Sequence, residues 1–130
     1  MTVNTALIVD DDSDTRSLLR LILETEGFAV LVAAHGQEAL AMIPPDSLPD
    51  VVVTDLSMPV LGGVELIERL RSEPRTAHIP IVVISGSDEA LGIQTSVRVE
   101  AVVRKPFDVT AFAECIRGVA STSTRSAPAA

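Results

Sequence analysis

The chain has 130 residues, 47% of them apolar, and a formal net charge of -8. That length suits one domain able to bury roughly two-thirds of the surface its unfolded form exposes, and the apolar fraction excludes a disordered polypeptide. The acidic balance argues against nucleic acid as a partner, because binding to a phosphate backbone is driven by clustered cations that release counterions.

At the N-terminus, MTVNT has neither the charged nor the apolar region of a signal peptide, and no apolar run in the chain reaches membrane-spanning length. Ala6 to Val9 is the first of several short, β-branched runs without polar alternation, the pattern of parallel strands covered on both faces. A helix is predicted over Ser13 to Glu26, with Leu18, Leu19, Ile22 and Leu23 along one side and Gly27 as its stop. A second strand follows at Phe28 to Val32, then a short helix from Gln37 to Ile43 that Pro44 and Pro45 cannot continue. The third strand is Val51 to Thr54. The helix after it, Val64 to Ser72, groups Leu66, Ile67 and Leu70 and spaces Glu65 and Arg69 for a surface pair. Ile81 to Ile84 is the fourth strand and Ala101 to Val103 the fifth. Between them a helix is expected, although Gly92, Gln94, Thr95 and Ser96 weaken it. Asp108 can cap a last helix presenting Val109, Phe112, Ala113, Ile116 and Val119. The tail from Ser121 to Ala130, STSTRSAPAA, reads as disordered, which leaves residues 1–120 as the folded domain.

Phe28, Phe107 and Phe112 are the only aromatics, so the core must be built from Val, Ile, Leu and Ala. Cys115 is the single cysteine, which rules out an intramolecular disulfide and fits a reducing, cytoplasmic compartment. Beside Phe112 and Ile116 it reads as a small buried hydrophobe rather than a reactive thiol. His35 and His78 fall in predicted loops and read as solvated rather than catalytic.

The alternation predicts an α/β fold of five (βα) units, a doubly wound, flavodoxin-like parallel sheet of order 2-1-3-4-5. In such sheets the reactive crevice lies beyond the carboxyl ends of the strands, near the point where strand order reverses. The residues that follow the strands are Asp10, Asp11, Asp12 and Asp14, then Asp55 with Ser57, then Ser85, Gly86 and Ser87, and finally Lys105. Lys105 is the only lysine among ten basic residues. Its ammonium is a compact point charge with three freely oriented donors, unlike the planar fork of arginine. Carboxylates gathered at one crevice repel, by roughly 4 kcal/mol for a pair 4 Å apart at an effective dielectric of 20. A hard divalent cation with oxygen ligands, Mg2+ in particular, offsets that repulsion. The lack of histidine or cysteine at these positions argues against zinc.

Four segments in register carry a resemblance: Ile8-Val9-Asp10-Asp11-Asp12, Val53-Thr54-Asp55-Leu56-Ser57-Met58-Pro59 with Gly63 eight residues past Asp55, Ile84-Ser85-Gly86, and Arg104-Lys105-Pro106-Phe107. The chain from residue 5 to about 119 resembles the response-regulator receiver domains of two-component signalling, of the chemotaxis-regulator kind. The resemblance implies that Asp55 accepts a phosphoryl group from a histidine kinase or phosphotransfer protein, and that the protein is a signalling phosphoacceptor assisting only its own phosphorylation and dephosphorylation. It implies direct Mg2+ ligation by Asp11, Asp55 and the Ser57 backbone carbonyl, with Asp10 acting through water. Ser85 and Lys105 would each contact a phosphoryl oxygen, and Pro106 would follow a cis peptide bond. Output would run through contacts with a downstream protein, as a monomer or a phosphorylation-dependent dimer, with no DNA-binding domain in this chain and no membrane partner.

Two features depart from the family pattern. Val102 stands three residues before the lysine, where receivers usually carry an aromatic that swings inward on activation, and the stretch Ser87 to Glu100 lacks the usual Gly-Ala before the fifth strand. Ser57 and Ser87 occupy the variable positions that tune phosphoryl lifetime in the family. Singly, the bland readings stand: Asp10 to Asp14 as helix caps, Asp55 as a turn residue, Ser85-Gly86-Ser87 as an ordinary loop. A haloacid-dehalogenase-type phosphatase also uses a strand-end aspartate with Mg2+, but its second aspartate is Ser57 here, removing the general acid. A binding module that keeps the fold and works without phosphorylation is the other alternative.

Overall fold

Where apolar runs are bounded by polar residues or glycine the chain is extended, and five such runs lie side by side. The structure is a computed structural model that describes residues 4–43, 48–56, 62–86 and 99–126, with side chains described as far as Val119. The elements in order are β1 (Thr5–Val9), α1 (Ser13–Thr25), β2 (Ala29–Ala33), α2 (Gly36–Met42), β3 (Val51–Asp55), α3 (Gly63–Ser72), β4 (Ile81–Ser85), β5 (Ala101–Arg104) and α4 (Val109–Ser126). The sheet order is β2-β1-β3-β4-β5 and every pairing is parallel, as the alternation predicted.

Successive side chains on a strand point to opposite faces, so an apolar run feeds two cores. Leu7 and Val9 of β1 join Ala39 of α2 and Leu66, Ile67 and Leu70 of α3 on one side of the sheet. Ala6 and Ile8 join Leu19, Ile22 and Leu23 of α1 and Phe112 and Ile116 of α4 on the other. Every residue of β3 and β4 is buried, whereas the edge strands β2 and β5 are partly exposed. Fully burying a Val, Leu or Ile side chain is worth about 1.5–3 kcal/mol, so these two layers hold the sheet between the helices. Cys115 packs half-buried against the α1/α4 core, and burial pushes its thiol pKa up.

Local chemistry fixes the helix ends. The carboxylate of Asp12 caps α1 by accepting the Thr15 N–H at 3.0 Å, and Gly27, at φ 96°, turns the chain into β2. His35 caps α2 through Nδ1, which accepts the Glu38 N–H at 3.2 Å, while the Glu38 carboxylate accepts the Ala34 N–H at 2.6 Å. His35 is thus a structural cap. At the amino edge of the sheet, Arg71 of α3 donates to the carbonyls of Ala77 and Ile79 at 2.9 and 2.7 Å and to Glu100 Oε1 at 3.0 Å.

Some boundaries differ from expectation. The second strand begins at Ala29 instead of Phe28, because Phe28 still closes the α1 turn with its N–H on Leu23 O at 3.0 Å. The third and fourth strands run one residue further, taking in Asp55 and Ser85. The backbone of α4 is helical to Ser126, six residues into the stretch whose composition predicted disorder from Ser121. Extending an established helix adds one hydrogen bond per residue fixed, so serine and threonine can follow where they could not nucleate. The Glu65–Arg69 pair is not among the ion pairs of the described residues, while Arg20 and Glu24 of α1 pair at 3.1 Å. Exposed pairs of this kind are worth little, and spacing alone does not enforce them. Pro44 and Pro45, Ser57, and the helix expected between β4 and β5 lie outside the described residues. Among the described residues no helix is long and apolar enough to cross a membrane.

Candidate functional site

Parallel strands end together, so β1, β3, β4 and β5 deliver their last residues to one rim. Asp10, 1% exposed, directly follows β1, and its N–H donates to Ala33 O at 3.1 Å. Its Oδ1 accepts the Asp12 N–H at 2.9 Å, and its carbonyl accepts Arg16 Nη1 at 2.8 Å. Asp55, the last residue of β3, is 8% exposed, with Oδ1 accepting the Leu56 N–H at 2.9 Å. Asp11 is exposed and forms the outer wall. Carboxylate oxygens of Asp10, Asp11 and Asp55 all lie within 4.8 Å of one another.

Lys105 reaches this cluster from the end of β5. Its N–H donates to Ser85 O at 2.9 Å, and its Nζ lies 3.4 Å from Asp10 Oδ2 and 3.8 Å from Asp55 Oδ1. The Lys105–Pro106 peptide bond is cis, as the resemblance implied. Ser85, 2% exposed, ends β4 beside this group: Ile84 pairs with Asp55 and Ser85 with Arg104 across the sheet. The structure therefore brings Asp10, Asp11, Asp55, Ser85 and Lys105 to one rim.

One ammonium faces three carboxylates, two of them buried, so the cluster keeps excess negative charge. Burial raises the Asp55 pKa above its ordinary value of 3.8, and the neighbouring Asp10 and Asp11 add to the effect. Lys105 and the Leu56 N–H oppose it. A raised carboxylate contributes stability that is full below about pH 3.8 and lost as pH climbs through the folded value. Asp55→Asn, which cannot ionise, is therefore expected to raise the urea midpoint at pH 7 in Mg2+-free buffer. The gain should vanish in acid below pH 3.8; an equal gain at both pH values would refute the electrostatic origin. The donor set is all oxygen, with carboxylates converging from the ends of β1 and β3 and no histidine or cysteine among them, which fits a hard divalent cation.

Two contributors escaped the sequence reading. Arg16 stands in the first turns of α1, where the helix dipole disfavours a cation; that misplacement is the signal of a nearby acceptor, here the Asp10 carbonyl. The second is the closeness of Gly63 to the turn after Asp55: its N–H donates to Leu56 O at 3.0 Å, and a Cβ built on it would clash with the Asp55 carbonyl oxygen. Its position eight residues past Asp55 was legible in the sequence, but the contact was not.

A doubly wound parallel sheet whose strand ends gather three carboxylates around one ammonium defines the class: an α/β protein of flavodoxin-like topology with an acidic pocket on its carboxyl rim. The family model described as response regulator receiver domain matches residues 6–117, and the chain belongs to that family. Chemotaxis protein CheY1 of Helicobacter pylori is 31% identical over 120 residues, covering 90% of this chain and 97% of that protein. Sensor histidine kinase TmoS of Ectopseudomonas mendocina is 40% identical over 103 residues, covering 78% of this chain and 10% of the kinase. The crystal structure of a CheY-like receiver domain protein from Methanospirillum hungatei superposes with a TM-score of 0.86 at 25% identity, covering 96% of this chain and 99% of that one. Of the first curated relatives it matches, the chain spans only 60%, 10% and 49%. Receiver domains are phosphoacceptors of two-component signalling rather than classical enzymes, and they interact with histidine kinases and downstream targets.

Proposed function

We propose that Asp55 is the acceptor and takes a phosphoryl group from a phosphohistidine on a histidine kinase or phosphotransfer protein in the cytoplasm. The observation that carries this reading is the buried Asp55 carboxylate set 3.8 Å from Lys105 Nζ, with Asp10 and Asp11 close by. A carboxylate oxygen of Asp55 forms the new O–P bond while the P–N bond to imidazole breaks, and the nitrogen keeps the electron pair. Lys105 would face the equatorial oxygens, where charge spreads in transfer, and its position near the Asp10 and Asp55 carboxylates supports that role. Ser85 offers its hydroxyl to another phosphoryl oxygen. Asp10, Asp11, Asp55 and the Ser57 carbonyl would hold Mg2+, with Asp10 acting mainly through water. Bound there, Mg2+ supplies the positive charge that three carboxylates would otherwise deny an incoming phosphate. The same site would assist water in removing the phosphoryl group.

Output would pass through contacts with a downstream protein. Val102 packs against the α2/α3 core and has no ring to swing, so those contacts must read a change other than an aromatic rotation at that position. The test is an acyl phosphate donor with Mg2+, followed by intact mass. Wild type is expected to gain one phosphoryl group, and Asp55→Ala none. A wild-type mass that never changes with donor and Mg2+ present would leave only a binding module.

A further inference from the structure

The geometry points to Arg16 as a positioning residue for the acidic pocket: from α1 it pins the peptide between Asp10 and Asp11 and so aims the Asp11 carboxylate at the metal position. This inference rests on the metal-binding reading of the pocket given above.

The reasoning starts from how Asp10 is held. Its N–H is tied to β2 through Ala33 O, and its side chain accepts the Asp12 N–H, so the incoming backbone and the carboxylate are both fixed. The outgoing peptide has its carbonyl on Arg16 Nη1 at 2.8 Å. That carbonyl belongs to the peptide plane that starts Asp11, and holding it sets the direction in which Asp11 leaves the strand. Asp11 is exposed, so packing does not hold its side chain, yet one of its oxygens lies within 4.8 Å of the buried carboxylates. A bond from a helix of the rigid scaffold is what such a ligand needs.

Arg16 also carries a charge, and the two roles predict opposite signs. A cation beside the pocket repels Mg2+, so if charge were its whole effect, removing it would tighten binding. A positioning bond does the reverse. Losing a group that orients a metal ligand costs roughly tenfold in affinity at the low end.

The experiment is isothermal titration of Mg2+ into the unphosphorylated chain, with thermal melts of the same samples. Arg16→Ala is expected to bind Mg2+ about tenfold more weakly. Arg16→Lys, which keeps the charge and one donor, should fall between Ala and wild type. In the phosphoryl-gain assay, Arg16→Ala should need more Mg2+ for half-maximal rate and reach the wild-type rate at saturation. Tighter Mg2+ binding in Arg16→Ala would assign a charge role and overturn the proposal. Unchanged Mg2+ affinity with a lowered melting temperature would make Arg16 merely structural and also overturn it, as would Arg16→Lys binding no better than Arg16→Ala. Wild type that binds no Mg2+ at all fails at the earlier step, removing the metal site and with it the role of Arg16.

Discussion

Gly63→Ala is expected to lower the urea midpoint clearly and to slow phosphoryl gain on Asp55, although it adds only one methyl group. The Cβ would lie 2.2 Å from Asp55 O, 2.7 Å from Leu56 Cα and 3.0 Å from Asp55 C. All three are backbone atoms, so no side chain can rotate aside. The Asp55 carbonyl is held from another direction by the buried Thr54 hydroxyl at 2.8 Å, and the Gly63 N–H is engaged with Leu56 O. Either α3 or the end of β3 must move. Overpacking of a tight core costs about 1–3 kcal/mol, and a misplacement on the order of 1 Å at a reacting group costs about 100-fold in rate. Gly118 is the control, because a Cβ there meets nothing within 4 Å. Gly118→Ala should stabilise by up to about 1 kcal/mol through helix propensity. Equal effects from the two substitutions would show that the close contact does not matter.

Arg71→Ala should destabilise by about 2–3 kcal/mol without altering acceptor chemistry in the folded protein. The guanidinium serves the carbonyls of Ala77 and Ile79 and one oxygen of Glu100, and that same oxygen accepts the Ile81 N–H at 2.6 Å. The Glu100 N–H in turn donates to Ile81 O at 2.8 Å. One side chain thereby ties α3 to the starts of β4 and β5. Its removal leaves two carbonyls and a carboxylate short of a donor. The side chains of Arg71 and Glu100 are 12% and 27% exposed, so water softens the loss below the roughly 3–5 kcal/mol of a fully buried pair. Arg71→Lys should recover little, since one ammonium cannot span three acceptors held in a fork. Denaturant melts measure the loss. Mass gain below the transition, unchanged from wild type, checks that the opposite rim is untouched.

The strands were legible because burial on both faces leaves no polar alternation, and the interior of each run was placed correctly. Several of their ends were not, since Phe28 is as apolar as a strand residue yet packs from a turn, and Asp55 is a strand residue despite its charge. The rim that collects Asp10, Asp11, Asp55, Ser85 and Lys105 followed from topology plus the resemblance. What one dimension hides is which group holds which. The spacing offered Asp10 to Asp14 as caps of α1 without choosing Asp12, and it does not reveal that Lys105 sits nearer Asp10 than Asp55, or that Arg16 reaches back six residues to a carbonyl. Those depend on angles between elements, and sequence periodicity carries no angles.

The two apolar layers divide the sheet so that Leu7 and Val9 belong to one and Ala6 and Ile8 to the other. Adjacent letters of one strand thus answer to different neighbourhoods. The sheet is a partition: a substitution in the α2/α3 layer meets its direct neighbours there and not in the α1/α4 layer. Each flank is thus a separate packing problem, and the rim at the strand ends is the one place that answers to both.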